Sequence, residues 1–341
     1  MRKLLNNLYI TNEDVMIKRQ GETIIVNRDN TKLGQFPIHI FENIICFNYT
    51  GMSPQAMALC LESGVEVTFL SPQGWLLGKV HGPLKGNVLL RRKQYRVADD
   101  PCALNFGKLF IEGKLFNSIR VLDRALRDHG HRMSDKVSVV KQQLIHSRSN
   151  LAQAADHETL LGLEGDAARQ YFSVFDELIL QQKEDFHFKK RIRRPPIDPV
   201  NALLSLSYGL LRTLTENALN TVGLDPYVGF LHQDRSGRTS LALDLMEELR
   251  PYMADRFVLS IINRKQINLT DFYTKEAGVV LFNEDGLKKM INLWNNRLQD
   301  TITHPYLEET IEIGLLPYVQ AMLLARTLRG DLEMYPPYMS T

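Results

Sequence analysis

One stretch of the chain, residues 227–251, combines an imidazole with two closely spaced carboxylates. A short apolar run ends at His232, a polar loop follows, and residues 240–250 have the apolar period of an amphipathic helix. Asp244 and Glu247 are three residues apart, which on a helix means about 60° around the axis and about 4.5 Å along it. Two carboxylates that close repel each other unless a proton or a cation lies between them. An imidazole with carboxylates suits Mg²⁺ or Mn²⁺ better than a structural zinc.

The same spacing is also typical of an ordinary solvated helix face. Against that interpretation, the neighbours of Asp244 are apolar: Leu241, Ala242, Leu243, Leu245 and Met246. A fully solvated helix at this position would expose these side chains to water. Glu248, which directly follows Glu247, is the acidic residue that we expect to be solvated. The spacing by itself leaves the choice between a site and a surface open.

Composition limits the class of protein. A length of 341 residues allows two domains, and 44% hydrophobic with 23% charged residues is typical of a soluble globular chain. The net charge of +2 does not indicate a nucleic-acid binder, so such a function needs local clusters of cations. Three cysteines without a CxxC pair favour a reducing compartment. With no signal-peptide pattern and no long apolar run, we expect a cytoplasmic protein without a membrane partner.

The hydrophobic pattern predicts an α+β protein, with an N-terminal β-rich domain followed by a larger all-α domain. Short β-type runs occupy residues 7–10, 14–19, 23–27, 32–40, 42–47, 65–70 and 75–80. One early helix is predicted over 53–63, with Ser53 as N-cap, Pro54 as first residue and Gly64 after its end. Helical period then dominates, over 88–98, 103–128, 134–148, 156–162, 164–185, 198–220, 240–250, 251–262, 284–299 and 304–329. Residues 271–282 interrupt this pattern as a small β insertion, and Gly82 with Pro83 is the predicted linker between domains 1–85 and 86–341.

Clusters of cations and acids occur elsewhere in the predicted helical part. Glu164 stands among small residues and is followed by Arg169 and Tyr171, although a first-turn acid that favours the helix dipole is the simpler interpretation of Glu164. Five of the six residues over 189–194 are basic and two prolines follow them. Such a run is either a solvated loop or a phosphate-binding strap. The remaining basic groups are 91–96, which includes Tyr95, and the pair Arg235 and Arg238 just after His232.

Several motifs taken together resemble the universal CRISPR-associated endonuclease of spacer acquisition, the integrase of the adaptation complex. The resemblance covers nearly the whole chain, and its N-terminal part is similar to compact type I (subtype C-like) members. The most specific motifs are RPPIDPVNALL at 194–204 and LALDLME at 241–247. The others are GMSP at 51–54, FLSP at 69–72, GNVLLRR at 86–92, EGDAA at 164–168, GFLH at 229–232 and INR at 262–264.

The resemblance implies a fold and a metal site. It implies a β-rich N-terminal domain that forms a homodimer and an α-helical, metal-dependent catalytic domain. The implied ligands of a Mg²⁺ or Mn²⁺ ion are Glu164, His232 and Glu247, with Asp244 as a further catalytic acid whose share in coordination is open. Glu247 is a mild departure, since some members have Asp there. Without the resemblance no spacing rule connects Glu164 to His232.

The implied activity is a metal-dependent DNA endonuclease and integrase that inserts short DNA fragments into a CRISPR array. The implied partners are double-stranded and branched DNA, a second copy of the chain and the small companion adaptation protein, and a further adaptation nuclease is an additional candidate. A non-catalytic DNA-binding scaffold is the alternative, and a phosphoesterase for small substrates is disfavoured by the size of the basic strap. The expected DNA-backbone contacts are Arg169, Lys189, Lys190, Arg191, Arg193, Arg194, Arg235 and Arg238.

Overall fold

The described residues form two units that are discontinuous in sequence. The computed structural model describes residues 7–11, 14–29, 31–41, 43–47, 50–71, 76–80, 87–192, 195–276 and 278–340. The first unit comprises residues 1–85 with 270–295, and the second comprises 86–269 with 296–341. Residues 270–295 therefore group with the N-terminal part, whereas the sequence pattern predicted one boundary near residue 86. The predicted linker, Gly82 with Pro83, lies outside the described residues. Within those ranges no helix is long and apolar enough to cross a membrane.

The first unit contains two four-stranded sheets. One has the strand order β1-β5-β7-β8, in which β1, β5 and β7 are parallel and β8 is antiparallel to β7. The other has the order β4-β3-β2-β6, built from the antiparallel pairs β2/β3 and β3/β4 with β6 parallel to β2. The strands are β1 (Asn7–Ile10), β2 (Val15–Gln20), β3 (Thr23–Arg28), β4 (Thr31–Pro37), β5 (Asn43–Cys46), β6 (Gly51–Met52), β7 (Glu66–Leu70) and β8 (Leu76–Val80).

One early helix, α1 (Pro54–Glu62), packs into this unit where the sequence predicted it. Ser53 accepts a hydrogen bond from the backbone N–H of Ala56, Pro54 is the first helical residue, and Gly64 has a φ of 73°. The helix contributes Ala56, Leu59 and Cys60 to a core with strand residues such as Ile17, Ile44 and Val67. The predicted β insertion is confirmed as the antiparallel pair β9 (Phe272–Thr274) and β10 (Val280–Phe282), followed by α9 (Glu284–Gln299).

The second unit is helical and contains every predicted metal ligand. Its helices are α2 (Val88–Ala98), α3 (Ala103–His129), α4 (Asp135–Ser149), α5 (His157–Ser173), α6 (Pro199–Val222), α7 (Ser240–Glu247), α8 (Arg256–Asn263) and α10 (Leu316–Arg329). One apolar core joins α3, α6, α7 and α10 through residues that include Phe110, Leu219, Leu245 and Leu324. The predicted α+β class, β-rich first and helical second, is therefore confirmed.

Three helix predictions are wrong in detail. His157–Ser173 form one helix where two were predicted, and it stops at Ser173, so the stretch to residue 185 is a short 3₁₀ turn and irregular chain. The predicted final helix begins only at Leu316, because residues 301–312 form the hairpin β11 (Thr301–Thr303) and β12 (Thr310–Glu312). His304 does not open a helix: it is buried in this hairpin, and its ring lies 3.1 Å from Gln320 Oε1.

Candidate metal and nuclease site

Asp244 faces inward and holds the segment that carries His232. Its Oδ2 accepts the backbone N–H groups of Phe230 at 2.7 Å and Leu231 at 2.9 Å, and its Oδ1 accepts that of His232 at 3.0 Å. Oδ1 also lies 2.6 Å from His232 Nδ1. Because a carboxylate accepts at Nδ1, that nitrogen carries a proton, so Nε2 is the ring nitrogen available to a ligand when the ring is neutral. With these four partners, Asp244 orients the histidine.

The segment before His232 is fixed from two further directions. A Cβ on Gly229 would lie 2.7 Å from Asp244 Oδ2, so only glycine allows this close approach. The carbonyl of Phe230 lies 2.7 Å from the ring Nε2 of His157, at the start of α5. Further upstream, Gln94 on α2 donates to the carbonyls of Asp225 and Val228 at 2.8 Å each. The basic stretch 91–96 therefore contains a buried glutamine that holds this loop.

Glu164 and Glu247 meet at one cation that sequence reasoning missed. Glu164 lies in the middle of α5, with Asp156 as the N-cap, so its interpretation as a first-turn acid is wrong. Lys114 on α3 contacts Glu164 Oε1, and its Nζ lies 2.8 Å from Glu247 Oε2. The Lys114 side chain is 12% exposed and that of Glu247 is 3% exposed. Three helices thus bring two carboxylates to a single ammonium group.

Glu247 is ionised although it is buried. Burial by itself raises the pKa of Glu247, but the cations of Arg250 and Lys114, aided by His232, outweigh burial and lower the pKa from 4.5 to about 2. Arg250 Nη1 lies 3.0 Å from Glu247 Oε1. Glu247 Oε2 lies 2.8 Å from Lys114 Nζ, so each carboxylate oxygen of Glu247 faces a cation.

A π-helical turn beside this group completes a charged pocket. The turn, Arg250–Asp255, separates α7 from α8, where an α-helix starting at residue 251 was predicted. π-turns in helices are frequent at functional sites. Tyr208 donates to Asp255 at 2.6 Å, and the guanidinium groups of Arg191 and Arg250 each lie 5.2 Å from the Tyr208 ring centroid. A cavity of about 30 Å³ is lined by side chains that include Lys114, Glu164, Arg191, Tyr208, Arg250 and Asp255.

The donor set fits a divalent cation. Two carboxylates converge on one cationic centre, and the oriented His232 is close enough to contribute to the low pKa of Glu247. As they stand, no three His, Cys, Asp or Glu side chains in the described ranges are close enough together to hold a metal ion. The ammonium of Lys114 lies between Glu164 and Glu247. Glu164, His232 and Glu247 stay the predicted ligands, the residues that would hold the ion.

Glu248 is not the solvated acid that the sequence suggested. It is 0% exposed and points away from this group towards the C-terminal segment. Its Oε1 accepts from Tyr335 at 2.5 Å and Gln320 at 2.8 Å, and its Oε2 accepts the backbone N–H of Tyr338 at 2.9 Å. Burial raises the pKa of Glu248 to about 7 against these three hydrogen bonds.

The predicted DNA contacts fall into three groups. Arg169 is 78% exposed and pairs with Asp166 at 3.2 Å, Lys189, Lys190 and Arg235 are exposed, and Arg238 is half-buried. Arg191 instead turns inward, donating at 2.8 Å to both Asn201 Oδ1 and the carbonyl of Ile192. It is therefore part of the pocket and not of an open strap. Arg193 and Arg194 lie outside the described residues.

Lys114 had a detectable signal in the sequence. On α3 it shares a helical face with Phe110, Ile111, Asn117 and Ser118, all of which are buried. A lysine on a buried face needs a partner of opposite charge. The helical period of α3 thus identifies Lys114 as a lysine on a buried face, but it does not identify Glu164 or Glu247 as its partners.

The fold and the charged group define a class: a two-unit α+β protein with a carboxylate and histidine centre suited to a hard divalent cation. The family description "CRISPR associated protein Cas1" matches residues 8–296. The chain therefore belongs to the Cas1 family, which confirms the resemblance found in its motifs.

Relatives and solved structures agree with this assignment. The CRISPR-associated endonuclease Cas1 1 of Chlorobaculum tepidum is 44% identical over 340 residues, 99% of both chains. The CRISPR-associated endonuclease Cas1 2 of Rhodospirillum rubrum is 44% identical over 343 residues, again 99% of both. A casposase bound to its integration product has the same fold, with a TM-score of 0.85 at 24% identity over 98% of this chain and 94% of its own. A CAS1 protein from Thermotoga maritima gives 0.82 at 21% identity over 96% and 97%.

Proposed function

We propose that this protein is a metal-dependent DNA endonuclease and integrase that inserts short DNA fragments into a CRISPR array. Membership of the Cas1 family and 44% identity to proteins named endonucleases support the enzyme class. One observation carries the assignment of the site: Glu164 and Glu247, 83 residues apart in sequence, meet at a single cation beside an oriented histidine. Ionised carboxylates are brought together in a protein interior only when a cation holds them.

Each residue has a distinct task at this site. When bound, Mg²⁺ or Mn²⁺ would act as a Lewis acid on a phosphoryl oxygen and activate the attacking hydroxyl. Glu164, His232 and Glu247 would hold that ion, and the contact of Asp244 with Nδ1 leaves Nε2 of His232 as the available ligand atom. Arg250, which pairs with Glu247 Oε1, helps to keep Glu247 ionised. In integration the attacking group is the 3′-hydroxyl of a DNA fragment, whereas water gives cleavage.

DNA binding is assigned to the exposed cations around the site. Exposed Arg235 and half-buried Arg238 lie three and six residues after His232, Arg169 lies five residues after Glu164 on α5, and Lys189 and Lys190 are two further exposed cations. Cations of this kind bind backbone phosphates and release counterions, without reading sequence. Arg193 and Arg194 stay predicted contacts.

The assembly follows the same proposal. Double-stranded and branched DNA, a second copy bound through the 1–85 domain and the small companion adaptation protein are the proposed partners, in a cytoplasmic complex. A solved neighbour titled "Cas6-RT-Cas1--Cas2 complex" has a TM-score of 0.86 and covers all of this chain but only 37% of its own. At 23% identity it supports the fold. A further adaptation nuclease is an additional candidate partner.

Alanine variants of two ligands test the site. We expect E164A and H232A to lose Mn²⁺-dependent cleavage and strand transfer on branched DNA by more than about a hundredfold, since even partners behind a metal ligand contribute 10–100-fold. Both variants should keep the wild-type elution volume and circular dichroism spectrum. An R169A variant serves as a control for DNA binding, since it should weaken binding and leave the metal affinity unchanged.

The alternative scaffold is distinguished by EDTA. A scaffold that only binds DNA would bind branched DNA equally in EDTA and in Mn²⁺, and would produce no new DNA ends in either. Full activity of the purified E164A or H232A protein would remove the site assignment even if the enzyme class stands.

A further inference from the structure

Lys114 occupies the position between two proposed metal ligands. It contacts Glu164 Oε1 directly and lies 2.8 Å from Glu247 Oε2, so its single charge faces both carboxylates. Arg250 is the other cation on Glu247, but it pairs with the opposite oxygen, Oε1, at 3.0 Å. Each of the two cations therefore pairs with one oxygen of Glu247, and of the two it is Lys114 that also contacts Glu164.

The ammonium group of Lys114 is charged in this position. Its Nζ lies within ion-pair distance of the carboxylates of both Glu164 and Glu247, and nearby opposite charges favour the charged form of a lysine. A positive charge therefore balances the carboxylate pair when no metal is bound. Without that charge the two acids would repel each other across a short distance.

The two cations differ in their freedom to move. Arg250 is held by its stacking on Tyr208 as well as by Glu247. Lysine, by contrast, is a compact charge on a flexible chain with three rotatable donors. Lys114 also lines the cavity of about 30 Å³, and a third carboxylate, that of Asp255, lines the same cavity.

We infer that Lys114 is an internal counter-ion that takes the place of the divalent metal between Glu164 and Glu247 in the metal-free protein. Metal binding displaces its ammonium group towards the cavity that Asp255 lines. This inference rests on the proposed metal site and adds to it a competitor within the chain. The affinity for the metal is thus set partly by a lysine that is not a ligand.

The consequence is opposite to that expected for a supporting residue. Removing a group that orients a ligand weakens metal binding. Removing a competitor instead strengthens it, and it destabilises only the metal-free state. The variant K114M keeps the length of the side chain and removes its charge, and K114R keeps the charge.

The test measures Mn²⁺ alone, without DNA. Isothermal titration and thermal unfolding are carried out on the wild type, K114M, K114R and the control K108M, which removes a cation from the same helix that donates to the carbonyl of Ala152 at 3.1 Å. We expect K114M to bind Mn²⁺ about tenfold more tightly or better, because a facing positive charge is gone. Its Tm in EDTA should fall while the rise in Tm on adding Mn²⁺ exceeds that of wild type. K114R and K108M should bind Mn²⁺ as wild type does.

The outcomes separate this inference from the proposed function. If wild type binds Mn²⁺ and K114M binds it equally or more weakly, Lys114 is not a competitor and the inference fails alone. If wild type binds no Mn²⁺, the metal site itself fails and the inference with it. Should K114M be unfolded in EDTA, refolding on adding Mn²⁺ supports the exchange of one cation for another. Persistent unfolding in Mn²⁺ overturns it, because the metal then does not replace the lysine.

Discussion

Glu247 and Glu248 are adjacent in sequence, equally buried in practice, and opposite in chemistry. Glu247 points into a cationic region with Lys114 and Arg250, whereas Glu248 points into a neutral network with Tyr335 and Gln320. The pKa of the first falls to about 2 and that of the second rises to about 7. Full charges on the partners keep a buried carboxylate ionised, while neutral donors do not fully offset the cost of burial. Adjacent acids can therefore differ, one an ionised and proposed metal ligand, the other a structural acid held by neutral donors.

Glu248 and its hydrogen-bond donors Tyr335, Gln320 and Tyr338, here called the latch, belong to a network that fixes the end of α7 next to Glu247. Asn117 on α3 donates to the carbonyls of Glu248 and Tyr338 at 2.7 and 2.8 Å, and accepts the N–H of Ser340 at 2.8 Å. A Cβ on Gly113 would lie 2.7 Å from Glu248 Cβ, so a glycine there allows α3 to approach the end of α7. The neutral network around Glu248 thus fixes the backbone at the end of α7, and the ion pairs of Glu247 form on that fixed backbone.

The largest expected effect comes from removing the charge of Glu247. In E247Q, Lys114 and Arg250 lose a buried counter-charge, which we expect to destabilise the protein by about 3–5 kcal/mol. Strand transfer should fall by more than about a hundredfold. Urea unfolding in EDTA and a branched-DNA assay measure the two effects. Unchanged stability would contradict the charged description of this region.

The next largest expected effect is a difference between Glu248 and Glu247 in how each changes the stability of the protein with pH. The pKa of Glu248 is about 7 in the folded protein against 4.5 for an ordinary glutamate, so between those values the folded chain holds a proton that the unfolded chain has released. Glu248 therefore contributes about 3 kcal/mol below pH 4.5, and this contribution is lost as the pH rises to 7. The lowered pKa of Glu247 gives the reverse, with a contribution present above pH 4.5 and lost as the pH falls.

Unfolding free energies of wild type and E248Q between pH 4 and 8 measure this difference. The E248Q protein should lack the decline between pH 4.5 and 7 because its amide does not titrate. An equal decline in both proteins would mean that Glu248 does not titrate in that range.

The smallest expected effect comes from one hydrogen bond of the latch. The variant Y335F removes the donor at 2.5 Å from Glu248 Oε1, and should reduce the free energy of unfolding by about 1–3 kcal/mol. Because that bond lowers the pKa of Glu248, its loss should move the pH-dependent decline to higher pH. A decline at unchanged pH would show that Tyr335 does not act on this carboxyl.

Local signals predicted the elements well where one turn or cap decides them. Ser53, Pro54 and Gly64 fixed α1, because capping and a positive φ depend on the residue itself. Residues 174–185 and 304–315 were wrongly expected to be helical, because their apolar spacing serves irregular packing and a hairpin instead. Arg191 was expected on a surface strap, and Asn201 with Tyr208 draws it inward.

The sequence by itself determined the family and the α+β order, and it supplied the proposed site residues Glu164, His232, Asp244 and Glu247. These depend on motif composition and on period, both of which are local. The tertiary structure decided how those residues divide the work. Asp244 is occupied by three backbone N–H groups and a ring, Glu248 is turned to the C-terminal segment, and Lys114 lies between the carboxylates. Ionisation and pairing depend on what distant helices bring within a few ångströms, and spacing along one helix does not contain that information.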